Sequence, residues 1–217
     1  MERGRVEMEV IKVENATKVF KNIKALDEVS ISCKQGEIVG IVGHNGSGKT
    51  VLFKSICGFY TLDEGEIYIN GKKRNKGEIL KNAGIIIENP AFINKYSGFK
   101  NLELLYCINN KIDKKHISDI LETVGLDPTM KKRVSKYSMG MKQRLAIAQA
   151  IMENKEILIL DEPMNGLDHN GVAEMRKIFL ELKKQGITML LASHNKEDID
   201  ILCDKVYVMS QGKIIQQ

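Results

Sequence analysis

Short apolar runs punctuate the chain, and their texture sorts them into two kinds. Before about residue 35 and around residue 67, apolar and polar positions alternate, as at 8–13, 29–33 and 67–69. That period of two belongs to strands with one face in solvent, the usual state of antiparallel pairs. The runs at 38–42, 157–160 and 188–192 are almost wholly apolar, as parallel strands covered on both faces are. Further strand-like runs lie at 85–87, 206–209 and 213–216. Apolar residues at helical spacing predict helices over 50–57, 102–109, 116–124, 141–152, 171–184 and 196–203. Strands and helices alternate, so an α/β core is expected. The stretch 89–152 carries several helical patterns and no strand. It is expected to be a helical subdomain inserted into a core built from 1–88 and 153–217, the whole forming one domain.

Composition changes this picture little. Hydrophobic residues make up 43% and charged ones 28% of 217 residues, the proportions of a soluble globular protein. A balance of 33 basic against 28 acidic residues leaves +5, which suits an anionic ligand, a membrane surface or an ordinary solvated face. Lysines 111, 114, 115, 131 and 132 read as such a face. The four cysteines, Cys33, Cys57, Cys107 and Cys203, have neither metal-ligand nor redox spacing. They are expected to be reduced, mostly buried thiols of an intracellular protein. The opening residues, MERGRVEMEV, lack the apolar centre of a signal peptide. No run approaches the roughly 18 apolar residues that span a bilayer, so any crossing of a membrane is expected to fall to another subunit.

The first chemistry lies after the apolar run at 38–42. Gly43, His44, Asn45, Gly46, Ser47, Gly48, Lys49 and Thr50 fit G-x-x-x-x-G-K-[ST], with Val51 continuing into a helical pattern. Strand, loop and helix in that order make a phosphate cradle. Glycine is needed because successive backbone N–H groups must turn inward, where a Cβ would obstruct the phosphates. The helix N-terminus adds partial positive charge. Lys49 is expected to reach the β- and γ-phosphates and the Thr50 hydroxyl to ligate Mg2+. A second constellation ends the run at 157–160 with Asp161 and Glu162. Asp161 arrives at the carboxyl end of a buried strand, where α/β sheets bind ligands, and is expected to hold Mg2+. By the strand's period Glu162 points the other way, free to polarise the water that attacks the γ-phosphate.

With these motifs and Tyr137-Ser138-Met139-Gly140-Met141-Lys142-Gln143-Arg144 before the next acidic strand, the chain resembles the ATP-binding-cassette family over essentially its whole length. The family's usual form of this third element is Leu-Ser-Gly-Gly-Gln. Here Ser138 and Gly140 match it, while Met139 and Met141 replace the other glycine and the glutamine. The resemblance implies a P-loop NTPase core of ABC type, with an antiparallel β subdomain and an inserted helical subdomain. It implies that Ser138 and Gly140 close over the γ-phosphate of ATP held by a second copy of the chain. Asn165-Gly166-Leu167-Asp168 matches the loop that joins the two copies, and Ala192-Ser193-His194 places His194 as the switch histidine at the γ-phosphate. Phe20 stands where the family stacks an aromatic on adenine, although a core phenylalanine has the same sequence appearance.

One departure is chemical. Where the family carries a glutamine that meets Mg2+ or the attacking water, this chain has Glu88, within Ile-Ile-Ile-Glu-Asn-Pro. A glutamate keeps a carboxyl oxygen but adds negative charge beside the triphosphate. Glu88 together with the altered third element is similar to the bacitracin-resistance and lantibiotic self-immunity branch. The resemblance thus implies a peripheral subunit on the cytoplasmic face of the cell membrane. It would hydrolyse ATP with Mg2+ and energise a transmembrane permease subunit through the segment 88–96, exporting an antimicrobial peptide or similar compound. It implies no nucleic acid as partner. Two other readings stay open, a soluble cassette protein acting on ribosomes or DNA and a regulatory nucleotide sensor with feeble turnover. The ATPase rate with and without a membrane partner separates sensor from engine.

Overall fold

The computed structural model describes residues 8–88 and 91–216. The chain opens with a long hairpin, β1 (Glu9–Phe20) and β2 (Ile23–Lys34), closed by a two-residue turn in which Lys21 has φ 54°. A left-handed turn residue of this kind matches the twist of the flanking strands. Then follow β3 (Ile38–Val42), α1 (Lys49–Cys57), β4 (Glu64–Ile69), β5 (Lys72–Lys73) and β6 (Ala83–Ile86). Three helices come next: α2 (Gly98–Tyr106), α3 (Lys114–Thr123) and α4 (Met139–Ile151). The chain ends with β7 (Ile157–Asp161), α5 (His169–Lys184), β8 (Thr188–Ala192), α6 (Lys196–Leu202), β9 (Lys205–Ser210) and β10 (Lys213–Gln216).

Two sheets result. One is antiparallel, in the order β2-β1-β4-β5. The other runs β10-β9-β3-β8-β7-β6 and is parallel except for the β10–β9 pair. Its central strands explain the unbroken apolar runs. In β7, Leu158 and Leu160 pack into a cluster with α2 to α5, while Ile157 and Ile159 pack into a second cluster with α1 and the antiparallel sheet. Alternate residues thus meet different cores, and neither face tolerates a polar residue. Between β6 and β7 the described residues hold three α-helices and a short 3-10 turn, and no strand. Among the described residues no helix is long and apolar enough to cross a membrane.

Helices α2 to α5 start two to four residues earlier than apolar spacing predicts, because their caps are polar. Ser97, Asp113, Ser138 and Asp168 each accept a hydrogen bond from a first-turn N–H of α2, α3, α4 and α5. The hairpin strands also outrun the predicted 8–13 and 29–33, since register shifts along β1 interrupt the alternation that marks a strand. Cys33 and Cys57 are buried, and burial raises both thiols, that of Cys57 to about 12. Cys203 is partly buried and Cys107 is exposed, so the expected burial fails for Cys107. Residues 1–7, which bear on the signal-peptide expectation, and Gln217 lie outside the described residues, as do Asn89 and Pro90 of the segment 88–96.

Candidate functional site

The parallel strands β3, β7, β8 and β6 all end on one edge of the sheet, and the chemistry gathers there. After β3 the chain wraps into the cradle. A Cβ on Gly43 would lie 2.2 Å from the Met209 carbonyl oxygen and 2.6 Å from Ser47 Oγ, so only glycine fits. Gly48 sits at φ 112° and caps α1 with no side-chain oxygen. The other five α-helices among the described residues each use a side chain for that purpose. No side chain therefore competes for the first-turn donors of α1. Lys49, only 7% exposed, folds back so that Nζ donates to the Gly43 and His44 carbonyls at 2.7 and 3.3 Å. Ser47 Oγ is buried and has no protein partner.

The cradle opens on a cavity of about 780 Å³, lined by Asn45 through Val51 and by Glu88, Asp161 and Glu162. The Thr50 hydroxyl donates to Asp161 Oδ2 at 2.6 Å, joining the start of α1 to the end of β7. Glu162 does not continue the strand. β7 stops at Asp161, and Glu162 takes φ 50° while its N–H donates to the Ala192 carbonyl at 2.9 Å. The opposite-face expectation for Glu162 thus fails, and a left-handed turn aims both carboxylates at one cavity. Glu162 Oε2 lies 2.8 Å from His194 Nδ1. A carboxylate only accepts, so Nδ1 carries the proton and Nε2 is left as the ring's other functional atom. The His194 side chain is 67% exposed. Its loop is fastened from below, where Ser193 Oγ donates to Asp198 and the Arg176 guanidinium pairs with that same buried carboxylate.

Glu88 follows β6 with φ 60° and pairs with Lys54 Nζ at 2.5 Å. The other expected site residues lie outside the cavity lining. Phe20 is 38% exposed at the end of β1, with its ring edge-on to Tyr60 at 5.1 Å, which excludes the core alternative. His44 is exposed, and its Nδ1 donates to the Asn45 carbonyl. Ser138 is the N-cap of α4, accepting from Met141 N at 3.2 Å. Gly140 faces Gly166, whose carbonyl oxygen would lie 3.1 Å from a Cβ there. Met139, 65% exposed and lying against Gly166, does line the cavity, as does Gln143 one turn later on α4. Sequence reasoning missed Lys54 and the Arg176–Asp198 pair. Lys54 had a signal, since it stands one helical turn after Thr50 and therefore shares its face.

The donors fit a nucleotide that carries its own metal. The unpartnered Ser47 hydroxyl, the glycine-only wall at Gly43 and the uncapped helix start all favour phosphate oxygens. Among the described residues no three His, Cys, Asp or Glu side chains converge to hold a metal. Thr50 and Asp161 are thus suited to Mg2+ that keeps water and phosphate oxygens for most of its ligands.

A family profile described as ABC transporter matches residues 26–165. The chain is 43% identical over 206 residues to a Bacillus subtilis (strain 168) protein described as the uncharacterized ABC transporter ATP-binding protein YybJ, covering 94% of each. It is 40% identical over 215 residues to the bacitracin transport ATP-binding protein BcrA of Bacillus licheniformis, covering 96% of this chain and 69% of that one. Among solved structures, cbiO1 from Clostridium perfringens, described as part of the ABC transporter complex cbiONQ, superposes with a TM-score of 0.81 at 31% identity. That match covers 97% of this chain and 88% of the other.

Proposed function

Because the chain belongs to the ABC transporter family as an ATP-binding protein, with ATP and Mg2+ as ligands and ATP hydrolysis as its activity, we propose that it powers export of an antimicrobial peptide, giving resistance or self-immunity. The observation that carries the catalytic half is the convergence of Lys49, Thr50, Asp161, Glu162 and His194 on one sheet edge. The relationship to a bacitracin transport protein supports the cargo class.

In this reading Lys49 leaves the cradle carbonyls to meet the β- and γ-phosphates, while backbone N–H groups of 46–51 and the start of α1 neutralise the remaining charge. When bound, Mg2+ would supply positive charge that offsets the charge of the phosphates. Thr50 and Asp161, already paired with each other, would hold the metal. Glu162 orients and polarises the attacking water, and His194 sets the Glu162 carboxylate and reaches the γ-phosphate through Nε2. Glu88 faces the same end. Phe20 lies beside Ile23, which lines the cavity, and stacks the adenine from its half-exposed position. Ser138 and the Gly140 backbone contribute to the γ-phosphate of a second copy, so two chains complete two sites head to tail. A transmembrane permease subunit receives the motion, and the chain sits peripherally on the cytoplasmic face of the membrane.

Glu162→Gln tests the catalytic assignment. Binding of ATP is expected to persist while hydrolysis falls on the order of 100-fold or more, with an ATP-dependent dimer accumulating in light scattering. Hydrolysis at the unaltered rate would remove Glu162 from its role. Co-purification with a membrane partner and bacitracin-stimulated ATPase activity test the transport half.

A further inference from the structure

Three carboxylates, Glu88, Asp161 and Glu162, line the end of the cavity that the phosphates are read to occupy. An anionic ligand therefore needs those charges balanced. Asp161 takes a neutral partner in Thr50, and Glu162 takes the His194 ring. Lys24, a cation in the cavity lining, is committed to Asp27 at 2.9 Å. Glu88 alone of the three pairs with a permanently charged group, Lys54.

Lys54 is also the fixed partner of that pair. Its side chain is 19% exposed against 62% for Glu88. Nζ lies 5.5 Å from the Tyr60 ring centroid, and the Tyr60 N–H donates back to the Lys54 carbonyl at 3.2 Å. Thr50 and Lys54, one turn apart on α1, thus reach Asp161 at the end of β7 and Glu88 just beyond the neighbouring β6. One helix face binds two adjacent strand ends.

We propose that Lys54 is a positioning residue for Glu88, neutralising its carboxylate and holding it at the rim so that the cavity accepts a triphosphate despite a glutamate there. This rests on the cavity being the ATP site, which direct binding by the unaltered chain tests separately. The measurement is the dissociation constant of a fluorescent ATP analogue, with and without Mg2+, in full-length chains carrying Glu162→Gln to prevent turnover. Lys54→Gln is expected to weaken binding about 5-fold. Adding Glu88→Gln to it is expected to restore the parent affinity, because the charge needing compensation is gone. Lys54→Arg, which keeps the charge, should stay within about 2-fold of the parent.

Equal weakening by Lys54→Gln with and without Glu88→Gln would overturn the inference, by making Lys54 a direct phosphate contact or a merely structural residue. A loss with Lys54→Arg as large as with Lys54→Gln would do the same. Failure of the parent chain to bind the analogue overturns the ATP reading and the inference together.

Discussion

Two glycine-bearing helix starts in this molecule are proposed to meet phosphate, and they are built in opposite ways. At α1 the cap is Gly48, with no side-chain oxygen, a buried lysine behind it and Ser47 sealed beneath. At α4 the cap is Ser138, whose oxygen already accepts from Met141 N, and the next residue, Met139, stands in solvent. The first arrangement is a receptor with donors kept clear and a wall at Gly43 that excludes a Cβ. The second is a partial surface, self-capped and open. The difference accords with the proposal that one chain holds the nucleotide while hydrolysis needs the α4 start of another chain.

Altering the two starts sharpens or breaks that contrast. Lys49→Ala should have the largest effect, weakening ATP binding on the order of 100-fold through loss of charge-assisted contacts, read by equilibrium titration. Gly43→Ala comes next, because its Cβ would meet Met209 and Ser47. An unfolding free energy lower by about 2 kcal/mol in urea is expected, together with a weakening of ATP binding smaller than that of Lys49→Ala. Gly46→Ala separates shape from backbone strain. Nothing lies within 4 Å of a Cβ there and only φ 81° resists it, so its cost should be about 1 kcal/mol. Ser138→Ala and Asp113→Ala each remove a cap worth about 1 kcal/mol. Only the first should also lower steady-state ATPase turnover. If both left turnover intact, Ser138 would be a cap and nothing more.

The cradle was legible because its chemistry is local. Eight consecutive residues carry the turn, the donors and the lysine, and the buried strand before them announces itself by an unbroken apolar run. The parallel strands were legible for the same reason, since burial on both faces leaves no polar position. What escaped depended on pairing across the chain. The partner of Glu88 lies 34 residues upstream, and the Arg176–Asp198 pair joins two helices. The direction of Glu162 escaped because a strand's period says nothing once the backbone turns left-handed. Helix starts shifted by up to four residues because caps such as Ser97 are polar and stand outside the apolar pattern.

Glu162 and Glu88 share that left-handed backbone, at φ 50° and 60°. For a residue with a Cβ the conformation costs roughly 1 kcal/mol or more, and glycine would relax it. Stability and activity therefore pull in opposite directions at these two positions. A laboratory population selected for heat resistance alone should drift toward glycine at 88 and 162 and lose turnover as it does. A population selected for ATPase turnover should keep both glutamates and their strain. At 88 and 162, unlike at the hairpin residue Lys21, the left-handed angle falls on a carboxylate that lines the cavity.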